Sequence, residues 1–314
     1  MRVHQISAPP SPALAEALAE FEAHFTYPLG VGKYFRISHG EDYTRFFRAQ
    51  GNGVCFIAEH QSRVVGALGT AIRQLRMPDG TEQPVAYFGD LKIAAEFRGG
   101  RVLAQLAQAA DGWLRPQVGA GFGVVMGGTT LTPETYTGRV GIPGFQELGR
   151  LAILRISGGE SQEPPSERFL SDRPSVLDCY QRLSVGRFAC PAAITEHRSK
   201  ITPVWLITPG SSACGMLEDT RKAKILFAGE GMEMLSAHLS CFAYGSVSEG
   251  AELIGVALSL EKNSGLPALF LSVPERDAPA LCDSLHRYEV LVATAVVYGT
   301  GLAKADWNIN TSEI

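Results

Sequence analysis

Residues 87–114 constrain the fold of this chain more than any other stretch. Leu91 and Ile93, with β-branched and aromatic neighbours before them, point one way, as in a buried strand. Arg98, Gly99 and Gly100 then break the apolar pattern. From Arg101 a period near 3.6 places Leu103, Leu106, Ala110, Trp113 and Leu114 on one helical face. A glycine turn between a strand and a helix leaves main-chain N–H groups unpaired and aimed outward. Such a turn suits an anion, a phosphate or pyrophosphate above all.

Elements of matching kind surround this stretch. Residues 2–7 read as a strand. Ser11 and Pro12 start a helix carrying Leu14, Leu18, Phe21 and Phe25. A short helix is predicted at 41–49. Residues 53–59 and 63–75 flank a polar turn and read as an antiparallel hairpin. The strand at 84–94 follows, then the helix to about 115, a strand at 121–129, a short helix at 133–140 and a strand or strand pair at 145–157. A parallel βαβ crossover is thus embedded in an antiparallel meander. Residues 158–174 are rich in Gly, Pro, Ser and Glu and read as a linker. The second half repeats the order. A helix near 175–188 precedes strands at 203–208, 213–218, 224–228 and 233–243, then a helix at 247–262, a strand at 267–273, a helix at 276–287 and a strand at 289–299. The fold class is therefore α/β, with a mixed, mostly antiparallel sheet and helices on both faces in each half. The divisions fall at 1–157, 158–174 and 175–314.

Composition narrows the function classes. A net charge of −4 over 314 residues gives no global field for nucleic acid or anionic lipid. No apolar run reaches the length of a membrane span, and residues 1–21 lack the order of a secretory signal. The six cysteines are scattered without C-x-x-C spacing and read as reduced thiols, which places the protein in the cytoplasm. The seven histidines form no metal-binding pattern, so no metal is expected.

The run from Leu91 to Leu103, LKIAAEFRGGRVL, resembles the strand–loop–helix signature L-x-V-x-P-x-[YF]-[RQ]-x-x-G-x-[GA] of the GNAT superfamily of acyl-CoA-dependent N-acyltransferases. Leu91, Ile93, Phe97 and Arg98 match. Ala95, Arg101 and Leu103 stand where Pro, Gly and Gly or Ala are usual. The resemblance implies two GNAT-like units in tandem, the first using acetyl-CoA or another short acyl-CoA as cosubstrate. It implies that Leu91, Lys92 and Ile93 bind the pantetheine arm. It also implies that Arg98, Gly99, Gly100, Arg101, Val102 and Leu103 cradle the pyrophosphate. At the matching place the second half has residues 245–250, with no arginine and with Glu249, whose charge repels pyrophosphate. That half is expected to lack the cofactor.

Acyl transfer to an amine needs a base for the ammonium and an acid for the departing thiolate. By the resemblance Tyr136 is the acid, its alternative role being to pack a helix on the sheet. Asp90, an acidic residue inside the central strand, is the candidate base, or else a carboxylate on the solvent side or one that caps a nearby backbone amide. Glu134 and Glu147 are weaker candidates. Tyr27, Tyr34 and Phe35 are candidates for lining an acceptor pocket, and the C-terminal segment reads as a docked edge strand. The first reading is an N-acyltransferase in which an amine of a small molecule or peptide attacks the thioester directly. The alternatives are a non-catalytic acyl-CoA sensor and an interaction protein that binds no nucleotide. No nucleic acid or membrane partner is implied, and a homodimer is compatible with all three.

Overall fold

A computed structural model describes all residues except 31, 137, 139–141, 160–166, 192–196 and 230, together with the side chains of 262 and 263. Part of the expected linker, and part of the helix expected at 133–140, therefore lie outside the described residues.

The first half runs β1 (Arg2–Ile6), α1 (Pro12–Glu22), β2 (Tyr27–Pro28), β3 (Tyr34–Ser38), α2 (Arg45–Arg48), β4 (Asn52–His60), β5 (Arg63–Arg76), β6 (Glu82–Ile93), α3 (Val102–Leu114), β7 (Gly121–Met126) and β8 (Gln146–Ser157). The second runs α4 (Arg173–Leu183), β9 (Arg187–Ala189), β10 (Val204–Ile207), β11 (Ala213–Glu218), β12 (Ile225–Ala228), β13 (Ala237–Tyr244), α5 (Val247–Asn263), β14 (Ala268–Pro274), α6 (Ala278–Ser284), β15 (Glu289–Thr300) and β16 (Asp306–Asn308). The helices expected at 41–49, 175–188 and 276–287 are shorter than the sequence suggests. The segment at 41–49 forms only the single turn of α2, and the one at 133–140 begins with a 3₁₀ turn at Pro133–Thr135.

Both halves share one continuous sheet, ordered β1-β4-β5-β6-β7-β15-β8-β14-β13-β11-β10. The last strand of each half completes the other. β15 lies between β7 and β8, antiparallel to both, and β8 in turn pairs with β14. A second small sheet joins the halves again, where β12 pairs antiparallel with β3, Phe227 opposite Arg36. The apolar periodicity of α3 buries Val102, Leu106, Ala110 and Leu114 on one face of the first-half sheet. α1 and α2 cover the other face with Leu18, Phe21, Phe46 and Phe47. Phe47 lies so close over β5 that a Cβ at Gly69 would fall 1.8 Å from its ring, so only glycine fits there. No helix among the described residues is long and apolar enough to cross a membrane.

Two parallel strand pairs open like a V, one in each half. β6 pairs with β7 only from Ala86–Gly121 to Phe88–Gly123. β13 pairs with β14 only at Ala237–Leu269 and His238–Phe270. Just beyond each pairing the strand bulges. Ala67 pairs with Lys92 and Gly69 with Gly89, which leaves Asp90 and Leu91 opposite Leu68. In the second half Cys214 pairs with Ala243 and Met216 with Ser240, leaving Cys241 and Phe242 opposite Gly215. Asp90 (φ 57°) and Cys241 (φ 50°) both adopt the left-handed conformation. Each half thus carries a like bulge, with a left-handed residue, just beyond its parallel pairing.

Candidate active site

The first-half V is built from the bulge outward. From Gly89 to Ile93 one edge of β6 pairs with β5, while among the described residues no strand pairs with the other. Main-chain groups of Leu91 and its neighbours on that edge can therefore receive an extended amide-bearing chain. Beyond β6 comes a 3₁₀ turn at Ala95–Phe97, then Arg98 to Arg101 and the start of α3. Arg101 caps α3 without a side-chain hydrogen bond, and no main-chain acceptor among the described residues takes the N–H of Arg101, Val102 or Leu103. Gly99 has φ 76°, with open space around its Cβ position, so glycine is needed there for its backbone and not for room. Arg98 and Arg101 are exposed, and Arg98 Nε lies 3.3 Å from the Ile93 carbonyl. The Val102 side chain is buried against β5, so it can serve an anion only through its N–H. The expected cradle residues thus stand around one turn, with unpaired amides and two exposed cationic side chains, one of which donates to the Ile93 carbonyl.

On the α1–α2 face of the bulge lies a buried charge network. Asp90 Oδ2 accepts from Tyr43 Oη (2.9 Å) and Lys92 Nζ (2.9 Å), and Oδ1 accepts from Tyr27 Oη (3.4 Å). Lys92 Nζ also donates to Glu22 Oε1 (2.8 Å). Glu22 in turn holds His39, through Nδ1 (2.6 Å) and through the His39 main-chain N–H (3.1 Å). Burial alone would push the Asp90 carboxyl up. The Lys92 ammonium, His39 and the hydrogen bonds from Lys92 and Tyr43 outweigh burial and hold it down, to about 2. Glu22 is likewise lowered against its burial, by His39 and then Lys92. Lys92 is raised, since the neighbouring anions, Asp90 first, overcome the burial that disfavours its charge. Burial raises the Tyr43 and Tyr27 phenols. Glu22, His39 and Asp90 offer ligand atoms all within 4.8 Å of one another, but the Lys92 ammonium already stands between the two carboxylates, where a cation would sit.

Tyr136 stands apart from this network. It follows the turn at Pro133–Thr135, and among the described residues no hydrogen bond joins it to Asp90. Burial, with Tyr298 of β15 beside it, pushes its phenol up to about 12. Glu134 is exposed, and Glu147 is engaged by Arg150 at 2.8 Å. Of the aromatic residues expected in an acceptor pocket, Tyr27 joins the network, Phe35 is buried and Tyr34 is exposed.

The second half contributes what local sequence reading missed. Lys224, just before β12, lies 4.8 Å over the Phe46 ring of α2 and donates to the main-chain oxygen of Ile314. Burial draws its pKa down to about 7, against the pull of Asp90.

The second V is filled by the chain itself. Cys241 N–H donates to Asn310 Oδ1 (2.7 Å), Ser272 Oγ donates to the Ile309 carbonyl, Thr311 Oγ1 lies 2.9 Å from His238 Nδ1, and Ser312 Oγ lies 2.8 Å from Ser240 Oγ. The expected C-terminal edge strand is therefore only β16, parallel to β9, followed by a buried segment lodged between β13 and β14. At the start of α5 the Glu249 carboxylate accepts from Ser246 Oγ (2.8 Å) and sits at the helix end that an anion would otherwise use.

No protein-family model matches the chain, and no curated protein matches it in sequence. Solved structures do. Saccharomyces cerevisiae N-myristoyltransferase with bound myristoyl-CoA aligns over 99% of this chain and 87% of its own, at 10% identity and a TM-score of 0.63. A second structure of that enzyme with bound myristoyl-CoA gives 99% and 82%, at 11% identity and a TM-score of 0.65. A GCN5-related N-acetyltransferase from Sphaerobacter thermophilus covers 99% and 98%, at 12% identity and a TM-score of 0.55. The chain has the fold of the GNAT superfamily, and the likeness extends through both halves.

Proposed function

We propose that the protein is an acyl-CoA-dependent N-acyltransferase working in its first half. The observation that carries this reading is the opening between β6 and β7, which ends on the unpaired amides at the start of α3. The Leu91, Lys92 and Ile93 main chain takes the pantetheine arm, and the Arg98–Leu103 turn takes the pyrophosphate. The amine of a small molecule or peptide attacks the thioester carbon directly, and the unpaired edge of β6 supplies N–H groups for the oxyanion. The acyl group is acetyl or another short chain in this reading. The neighbours with bound myristoyl-CoA make a long-chain donor the comparison to run beside it.

Asp90 anchors the site. Both its oxygens are occupied and its carboxyl is held near 2, so at neutral pH it orients Tyr27, Tyr43 and Lys92 more readily than it takes up a proton. Lys224, with a pKa near 7, is the neighbouring group suited to proton transfer. Tyr136, protonated at neutral pH, is the donor to the departing thiolate. Tyr136→Phe is expected to lower kcat about a hundredfold while leaving the KM for acyl-CoA within about threefold. The second half carries no cofactor, since its own chain fills the matching cleft.

The test is calorimetric titration with acetyl-CoA and myristoyl-CoA, followed by a thiol-release assay over a panel of amines. Arg98→Ala combined with Gly99→Val removes a cation and forces a β-branched residue into the left-handed region. It is expected to weaken acyl-CoA binding at least about thirtyfold, the loss of one charge-assisted contact and of the turn that aims the amides. Wild-type binding by that variant would remove the cradle assignment. Binding without turnover for any amine would favour a sensor over an enzyme.

A further inference from the structure

Phe47 of α2 lies where three neighbouring strands each leave out a side chain. A Cβ on Gly53 of β4 would collide with the Phe47 main chain, and one on Gly69 of β5 would collide with its ring. One on Gly89 of β6 would fall 3.2 Å from the ring edge and 3.0 Å from the Tyr87 ring. Gly69 and Gly89 pair with each other across β5 and β6. Gly89 is also the first residue past Phe88–Gly123, the last pair that β6 makes with β7. It is half-buried, so it floors the apex of the first-half V on the α1–α2 side. Behind it the Phe47 ring, wholly buried, closes the space together with Tyr87.

We propose that Phe47 sets the length of the acyl group, closing the end of the acyl site so that it takes only a short chain. This inference rests on the acyl-transfer reading. In that reading the pantetheine arm runs from the turn at Arg98 back along Ile93 to Leu91, so the acyl group points at Gly89 and the apex of the V. An acetyl group ends there. Each further methylene meets the Phe47 ring in a close-packed interior, where overpacking excludes a chain as effectively as a missing contact would. The ring carries no polar duty. It packs edge-on to Phe46, with 5.2 Å between centroids, and stacks on His39 at 6.2 Å. Its loss therefore opens space at the apex and removes none of the hydrogen bonds to Asp90, which come from Tyr27, Tyr43 and Lys92.

The experiment measures binding of acetyl-CoA and hexanoyl-CoA to the full chain by calorimetry. The wild type is expected to bind hexanoyl-CoA at least about tenfold more weakly than acetyl-CoA. Phe47→Ala leaves a cavity that the longer tail can refill. It should reverse the order by about tenfold, and hexanoyl-CoA should raise its Tm more than acetyl-CoA does. Phe47→Leu keeps most of the packing and should lie between, so it carries the test if Phe47→Ala does not fold. Adding Gly69→Val to Phe47→Ala puts a side chain from β5 back into the space of the ring. That double variant should again prefer acetyl-CoA, which destabilisation alone would not produce. Equal wild-type binding of the two, or folded Phe47 variants that keep the wild-type order, overturns the role of Phe47 and leaves the acyl-transfer reading standing. Binding of neither acyl-CoA by the wild type would overturn both.

Discussion

Lys92→Met is expected to cost about 3–5 kcal/mol of folding stability at neutral pH, because it strands the Glu22 and Asp90 carboxylates in a dry interior with only His39 between them. Methionine fits the volume, so the loss reads the charge and not the packing. The pH dependence gives the sharper test. The Asp90 carboxyl sits near 2 in the folded protein against an ordinary value of 3.8. A carboxyl lowered on folding stabilises the native state above its unfolded pKa, and that contribution fades as pH falls through the folded value. The deficit of Lys92→Met should therefore shrink between about pH 4 and pH 2, as the wild type loses its Lys92 ion pairs to protonation and the variant's stranded carboxylates are neutralised. Denaturant titrations at pH 7 and pH 3 measure it. Equal deficits at the two pH values would mean that Lys92 matters only as bulk. Adding Glu22→Gln and Asp90→Asn to Lys92→Met should restore part of the loss, since the stranded charges disappear with it.

The same residue shows where sequence reading stops. The strand, the Arg-Gly-Gly turn and the amphipathic helix were legible because they rest on local periodicity and turn chemistry. Asp90 was legible as an oddity, a carboxylate in an apolar strand. Its partners were not. Glu22, His39 and Tyr43 come from the end of α1 and the segment after β3, and nothing local marks them as neighbours of a strand residue many positions later. Lys92 was expected to act through its main chain, and its side chain proves to be the buried cation of the network. The exchange of β15 and β8 between the halves was equally hidden, since alternation fixes which face a strand buries and not which strand lies beside it. In the second half Glu249 was legible as a carboxylate at the matching helix start. The chain segment lodged in the cleft was not, since it lies in Asn310, Thr311 and Ser312, polar residues with no period at all.

Glu313→Ala should be the most damaging single change in that segment. Its Oε2 accepts from Arg73 Nη2 (2.8 Å) and Asn310 Nδ2 (3.0 Å), and its Oε1 from Arg198 Nη1 (2.7 Å). Arg198 keeps Glu218 through two bonds of 2.8 and 2.7 Å, but Arg73 has Glu313 as its only carboxylate partner among the described residues. Removing the carboxylate leaves the Arg73 guanidinium, 5% exposed, facing a cavity without a counter-charge. The expected cost is about 3–5 kcal/mol, with Glu313→Gln intermediate because its amide oxygen can still accept from one arginine. The structural consequence follows the chain. Glu313 ties β5 of the first half to Arg198 of the second, and the residues just before it fill the opening between β13 and β14. Once that tie is cut, the Cys241 amide loses its protection as Asn310 withdraws, which hydrogen exchange would read directly. Ile314, held by Lys224 beside Phe46 of α2, shifts with it, so amine acylation should fall even where acyl-CoA still binds in the first half. A Glu313→Ala protein with a protected Cys241 amide and wild-type stability would show that the segment is held by β16 alone, whose Trp307 stacks on Phe188 of β9, and that the buried arginines find their counter-charge elsewhere.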